Sequence, residues 1–195
     1  TNKTIIITGA STGIGQAFSV ACASYGAKII VADMNSGEET VEIIKSKGGE
    51  AKFVDVDVAN EKSTDLMAKA AYDWTGRVDG LINNAAYFRE VKLTPFEEID
   101  VAVWDKIFDV NVKGIWQCSK AVIPYMRNNN GGSIINISSV VAVAGQPGYL
   151  HYVATKGAVL AMTKGLAKEC GKDLVRVNTI APGFVITDAT KNRPT

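Results

Sequence analysis

The sequence predicts an α/β fold built on a doubly wound parallel sheet with helices on both faces. Two observations predict it. Short β-branched runs alternate with longer helical stretches, which is the βαβ pattern. The first run also leads straight into a glycine-rich turn that opens a helix.

The strand candidates are Thr4–Thr8, 28–32, 51–56, Gly80–Asn83, 133–138 and Val175–Ile180. Ile5-Ile6-Ile7 and Ile134-Ile135-Asn136-Ile137 are nearly all apolar, as strands covered on both faces should be. The helical stretches lie between them. Residues 14–25 lead to Gly26, a natural C-terminal stop. Residues 36–47 end at Gly48-Gly49, and residues 60–74 start at the capping candidate Asn60 and end before Gly76. Residues 101–127 are interrupted at Gly114 and Pro124, which predicts two segments. Residues 152–170 form the last helix. There is no repeat and no linker, so residues 1–195 are expected to form one domain.

Composition narrows the function. The formal charge is +1, from 21 basic and 20 acidic side chains, which gives no footprint for nucleic acid or an anionic membrane. No apolar run approaches the ~18 residues that cross a bilayer, and the opening residues show no charged n-region followed by an apolar h-region, so no secretory leader is expected. Cys22, Cys118 and Cys170 are an odd set without metal-ligand spacing, so they read as reduced thiols in a cytoplasmic protein and no metal is expected.

The turn reads Thr8-Gly9-Ala10-Ser11-Thr12-Gly13-Ile14-Gly15. Its glycines allow a tight bend and close approach of backbone to a pyrophosphate, and the helix that follows points free N–H groups at it. The strand-turn-helix context is the one this Rossmann-like mechanism requires. The second strand run ends at Asp33, 18 residues beyond Gly15 and near the ~20 expected of an acid that accepts the ribose hydroxyls. Asp33 also repels a 2′-phosphate. Met34 and Thr12 stand where a phosphate-binding cation would be useful, so NAD is expected over NADP.

Tyr152 and Lys156 are four apart, on one helix face. Ser139 lies 13 residues earlier at the end of a strand, where α/β sheets form their ligand crevice. Strand alternation turns Ser138 and Ser139 opposite ways without saying which one faces the crevice. An ammonium one turn from a phenol lowers the phenol's pKa toward a useful base.

The G-x-x-x-G-x-G turn and the Ser…Tyr-x-x-x-Lys set together resemble the short-chain dehydrogenase/reductase family over the whole chain. The resemblance implies hydride transfer between NAD and a secondary alcohol or ketone. Ser139 would orient the substrate oxygen, Tyr152 would act as base, Lys156 would tune Tyr152 and bind ribose, and Asn111 would hold a relay water. It adds Asp57-Val58 as the adenine-recognising pair, and it matches Asn83-Asn84-Ala85-Ala86 to the family's Asn-Asn-Ala-Gly turn, with Ala86 departing from glycine. It reads Pro182, Gly183, Val185 and Thr187 as the grip on the nicotinamide carboxamide. Read without the resemblance, these pieces are strand-end turns. It also implies a substrate lid and a last strand beyond residue 195, and a homodimer or homotetramer pairing the helices at 101–127 and 152–170.

Two other readings share most of these motifs. An NADPH-dependent carbonyl or 3-ketoacyl reductase would share every motif except Asp33. A non-catalytic NAD-sensing module would have no need of Ser139, Tyr152 and Lys156 together. Val140, Val141, Val143 and Phe88 suggest an apolar or weakly polar substrate. His151, the only histidine, is expected to pack at a surface or subunit contact.

Overall fold

A computed structural model describes residues 2–187 and 190–191 of the chain; the expected domain bounds reach into residues outside these. Six parallel strands form one sheet in the order β3-β2-β1-β4-β5-β6. They are β1 (Thr4–Thr8), β2 (Lys28–Asp33), β3 (Glu50–Asp55), β4 (Gly80–Asn83), β5 (Gly132–Ile137) and β6 (Val175–Ile180). The helices are α1 (Gly13–Ser24), α2 (Glu38–Ser46), α3 (Glu61–Thr75), α4 (Val101–Phe108), α5 (Gly114–Asn128), the short α6 (Val141–Ala144) and α7 (Leu150–Cys170). The strand order reverses between β1 and β4, and such a reversal opens a crevice at the carboxyl ends of the strands.

Alternation along the strands divides the core between two faces. Ile6, Ile30, Leu81 and Ile134 join Met67, Cys118, Val122 and Cys170 from α3, α5 and α7. Ile7, Ile29, Val31 and Ile82 join Ala23, Val41 and Ile44 from α1 and α2. The nearly all-apolar runs in β1 and β5 thus serve two layers of helices, as their composition predicted. Among the described residues, no helix is long and apolar enough to cross a membrane, and no group of His, Cys, Asp and Glu side chains is placed to hold a metal ion.

Local signals set several boundaries. The Asn60 side chain caps α3 by accepting from Ser63 N at 3.1 Å, and Gly76 ends the helix at φ 74°. The two segments expected within residues 101–127 are α4 and α5, and α5 starts at Gly114, but no break falls at Pro124. The chain runs from α4 into α5 through a π-helical turn, Asp109–Lys113, and Pro124 lies inside α5. Gly114 is a packing residue rather than a breaker: a Cβ there would lie 2.8 Å from Val58 Cγ2.

Candidate active site

Because all six strands are parallel, their carboxyl ends lie along one edge, and the sequence-predicted residues gather there. The phosphate turn follows β1. Gly9 and Gly13 adopt φ +63° and +60°, which side chains rarely tolerate. A Cβ on Gly9 would lie 2.8 Å from Ala85 Cα, and one on Gly15 would overlap the Gly9 carbonyl oxygen. Thr12 precedes α1 in extended conformation and makes no side-chain cap, so the first N–H groups of the helix face outward. This bare cradle at a helix start fits a dinucleotide pyrophosphate. The segment after β6 bends back over it: a Cβ at Gly13 would touch the Thr187 side chain at 3.7 Å.

Asp33 closes β2. Its Oδ2 accepts from Ser11 N at 3.0 Å and Ser11 Oγ at 2.7 Å, and its Oδ1 accepts from Asn35 N at 3.0 Å. Met34 beside it is exposed and carries no charge. After β3, Asp57 is exposed and its Oδ1 accepts from Ala59 N, while Val58 is buried against Gly114.

The Asn-rich turn after β4 bridges the crevice. Asn84 Nδ2 donates to the carbonyls of Thr8 and Gly9 at 3.0 and 2.9 Å, and Thr8 Oγ1 accepts from the N–H groups of Asn84 and Ala85. Asn83 instead points into the sheet core and donates to Asn136 Oδ1 at 2.8 Å. Ala86 is exposed and is not among the residues with positive φ, so its methyl imposes no backbone strain where the family has glycine.

The catalytic candidates sit opposite. Lys156 is 3% exposed, and its Nζ donates to the Ile137 carbonyl at 2.8 Å and lies 5.5 Å from the centroid of the Tyr152 ring. Burial lowers its pKa to about 8. Ser138 is buried and donates to the Lys156 carbonyl at 2.8 Å, which commits its hydroxyl to structure. Ser139 is half-buried, and its Oγ accepts a long 3.4 Å contact from Val141 N. The Phe88 ring packs against Tyr152 with centroids 4.6 Å apart and also approaches Tyr149 at 6.2 Å.

Asn111 is fully buried on the π-helical turn. Its Oδ1 accepts from Tyr87 N at 2.7 Å, and its Nδ2 donates to Thr155 Oγ1 at 3.3 Å. Thr155 in turn donates to the Tyr152 carbonyl at 2.7 Å. The Asn111 side chain therefore ties the loop after β4 to α7. Thr155 was not singled out from sequence, because a threonine inside a helix is unremarkable until Asn111 arrives from another helix.

After β6, Val140 N donates to the Pro182 carbonyl, and Thr190 Oγ1 donates to the Val185 carbonyl at 2.6 Å. His151 corrects an expectation. It is buried at 1% exposure within the chain rather than at a surface, and burial lowers its pKa. Helical phase explains this: it shares the inward face of α7 with buried Thr155 and Val159.

Fold and site together define a dinucleotide-binding α/β enzyme. Comparison with known proteins agrees. The profile described as short chain dehydrogenase matches residues 3–195. The 3-oxoacyl-[acyl-carrier-protein] reductase of Synechocystis is 38% identical over 98% of this chain and 78% of its own length. The corresponding Thermotoga maritima protein is 39% identical over the same shares. Among solved structures, NAD⁺-bound xylitol dehydrogenase superposes with a TM-score of 0.90 at 31% identity, covering 94% of this chain and 70% of its own. The chain belongs to the short-chain dehydrogenase/reductase family, oxidoreductases that act on CH–OH and ketone groups with a nicotinamide cofactor.

Proposed function

We propose that the chain moves a hydride between NAD and a secondary alcohol or ketone, with Tyr152 exchanging the hydroxyl proton. The observation that carries this reading is the buried Lys156 ammonium held 5.5 Å from the Tyr152 ring. A cation that close, in a medium of low dielectric, favours the phenolate over the neutral phenol.

The phosphate turn from Gly9 through Ser11, Thr12, Gly13 and Ile14 to Gly15 would hold the pyrophosphate. Asp33 would take the adenosine ribose, and Asp57 with Val58 the adenine. Asn84, Ala85 and Ala86, with Tyr152 and Lys156, would flank the nicotinamide ribose. Pro182, Gly183, Val185 and Thr187 would face the carboxamide. When bound, the nicotinamide supplies the hydride acceptor or donor.

The chain's own residues handle the proton. In oxidation Tyr152 takes it from the alcohol oxygen, and in reduction Tyr152 returns it to the carbonyl oxygen. Ser139 donates to the same substrate oxygen and orients it. The Asn111 amide is spent on Tyr87 and Thr155, so a relay water beside Lys156 would be held by the Asn111 main chain. NAD is favoured because Asp33 repels a 2′-phosphate and Met34 offers no cation. The three free thiols support a cytoplasmic setting, and a homodimer or homotetramer is the expected assembly.

The test compares kcat/KM for NAD and NADP across a panel of secondary alcohols, in the wild type and in Asp33→Ala. NAD should win in the wild type, and the gap should narrow in the variant. A wild-type preference for NADP would overturn the coenzyme reading.

A second reading draws on the relatives named 3-oxoacyl-[acyl-carrier-protein] reductases, 36–39% identical. It is reduction of a 3-oxoacyl thioester with NADPH by the same residues. Including a 3-oxoacyl thioester with NADH and NADPH in the panel separates the two.

A further inference from the structure

The geometry points to Ser11 as a positioning residue that sets coenzyme choice by fixing the Asp33 carboxylate against the phosphate turn. This deepens the NAD reading above and rests on it. Ser11 gives Asp33 Oδ2 two donors at once, its backbone N–H at 3.0 Å and its hydroxyl at 2.7 Å. Both residues are more than nine-tenths buried, so water does not compete for these bonds. Asn35 N holds the other oxygen at 3.0 Å. Hydrogen bonds to a charged acceptor are about twice as strong as neutral ones.

Ser11 is itself fastened from behind. Thr40 on α2, fully buried, donates to the carbonyls of Ala10 and Ser11 at 3.1 and 3.0 Å. Gln16 on α1 donates to the Ser11 carbonyl at 3.3 Å and to Thr40 Oγ1 at 3.0 Å. The acid that would read the ribose is therefore locked to the turn that would hold the phosphates, through the backbone N–H and the hydroxyl of one residue.

A fixed carboxylate helps one coenzyme and hinders the other. The hydroxyls of an unphosphorylated ribose meet an acceptor already ordered, so binding costs little conformational entropy. A 2′-phosphate meets a negative charge that cannot swing aside without breaking the Ser11 bonds. The hydroxyl of Ser11 thus raises discrimination in both directions.

The experiment is titration calorimetry of the full chain with NADH and with NADPH, for the wild type, Ser11→Ala, Ser11→Cys and Ser11→Thr, with folding checked by circular dichroism. Cys is close to Ser in shape with a weak donor, so it reads the proposal if Ala disturbs the fold. The Kd ratio of NADPH to NADH should shrink roughly tenfold in Ser11→Ala or Ser11→Cys, as expected for one lost charge-assisted bond. Ser11→Thr, which keeps the hydroxyl, should hold the wild-type ratio within about twofold. A wild type that prefers NADH, with folded Ala and Cys variants keeping its ratio, would overturn the role of Ser11 and leave the NAD reading standing. A wild type that prefers NADPH would overturn both.

Discussion

Lys156 holds its ammonium 5.5 Å from the centre of the Tyr152 ring, one helical turn away, while donating to the Ile137 carbonyl at 2.8 Å. That placement keeps a charge where almost no water reaches it. Removing a cation from water is costly, and the cost shows in a pKa near 8 against the ordinary lysine value of 10.5.

The cost has a pH signature. Below about pH 8 the folded chain must keep the ammonium charged and buried, and the full penalty applies. Between there and 10.5 the folded chain has released a proton that the unfolded chain still binds, so this group's contribution to stability rises with pH. Lys156→Met should abolish that rise. Urea unfolding should show the variant losing ground to the wild type by roughly 2 kcal/mol between pH 7.5 and 10, at up to ~1.4 kcal/mol per pH unit. A stability difference constant across that range would contradict the account of Lys156.

Gly15→Ala should cripple coenzyme binding. The added methyl would overlap the Gly9 carbonyl oxygen and lie 2.6 Å from Asn84 Nδ2, so the phosphate turn has to open. NADH affinity, measured by calorimetry, should fall more than ~10-fold, as for a 1.4 kcal/mol loss or greater. Gly171→Ala is the control for a glycine away from the site, since its φ is −59° and nothing lies within 4 Å of a Cβ there.

Asn111→Ala removes the link between Tyr87 and Thr155. Turnover should fall at least ~10-fold, because misplacement of a positioned group is costly. NADH affinity should change less than about threefold, because the phosphate turn and Asp33 are untouched. Equal losses in turnover and in NADH affinity would show that Asn111 supports the fold as a whole rather than the catalytic face.

Much of this was legible in the sequence, for physical reasons that differ by element. The nearly all-apolar runs Ile5-Ile6-Ile7 and Ile134-Ile135-Asn136-Ile137 and the glycine turn between β1 and α1 announced themselves, because burial on two faces and positive φ leave strong marks on composition. Asp33 was legible because its spacing is fixed by one βα unit. The two segments α4 and α5 were legible, but the π-helical turn that joins them, the continuity through Pro124 and the packing of Gly114 against Val58 were not. The Ser…Tyr-x-x-x-Lys spacing selects Ser139 over Ser138, but the physical reason lies in α7, whose Lys156 carbonyl takes the Ser138 hydroxyl. The burial of His151 and the Asn111–Thr155 link likewise depend on how α4, the π-helical turn and α7 meet, and local sequence carries no record of that meeting.

The central claim is that Tyr152 exchanges the substrate proton, and Tyr152→Phe tests it most directly. The substitution removes the phenolic oxygen and keeps the ring that packs on Phe88. For a variant shown to be folded and to bind NADH as the wild type does, the rate of secondary-alcohol oxidation with NAD should fall by ~10²–10⁴-fold, the usual cost of losing a general base. Oxidation at near-wild-type rate by that folded variant would contradict the account and remove Tyr152 from the mechanism.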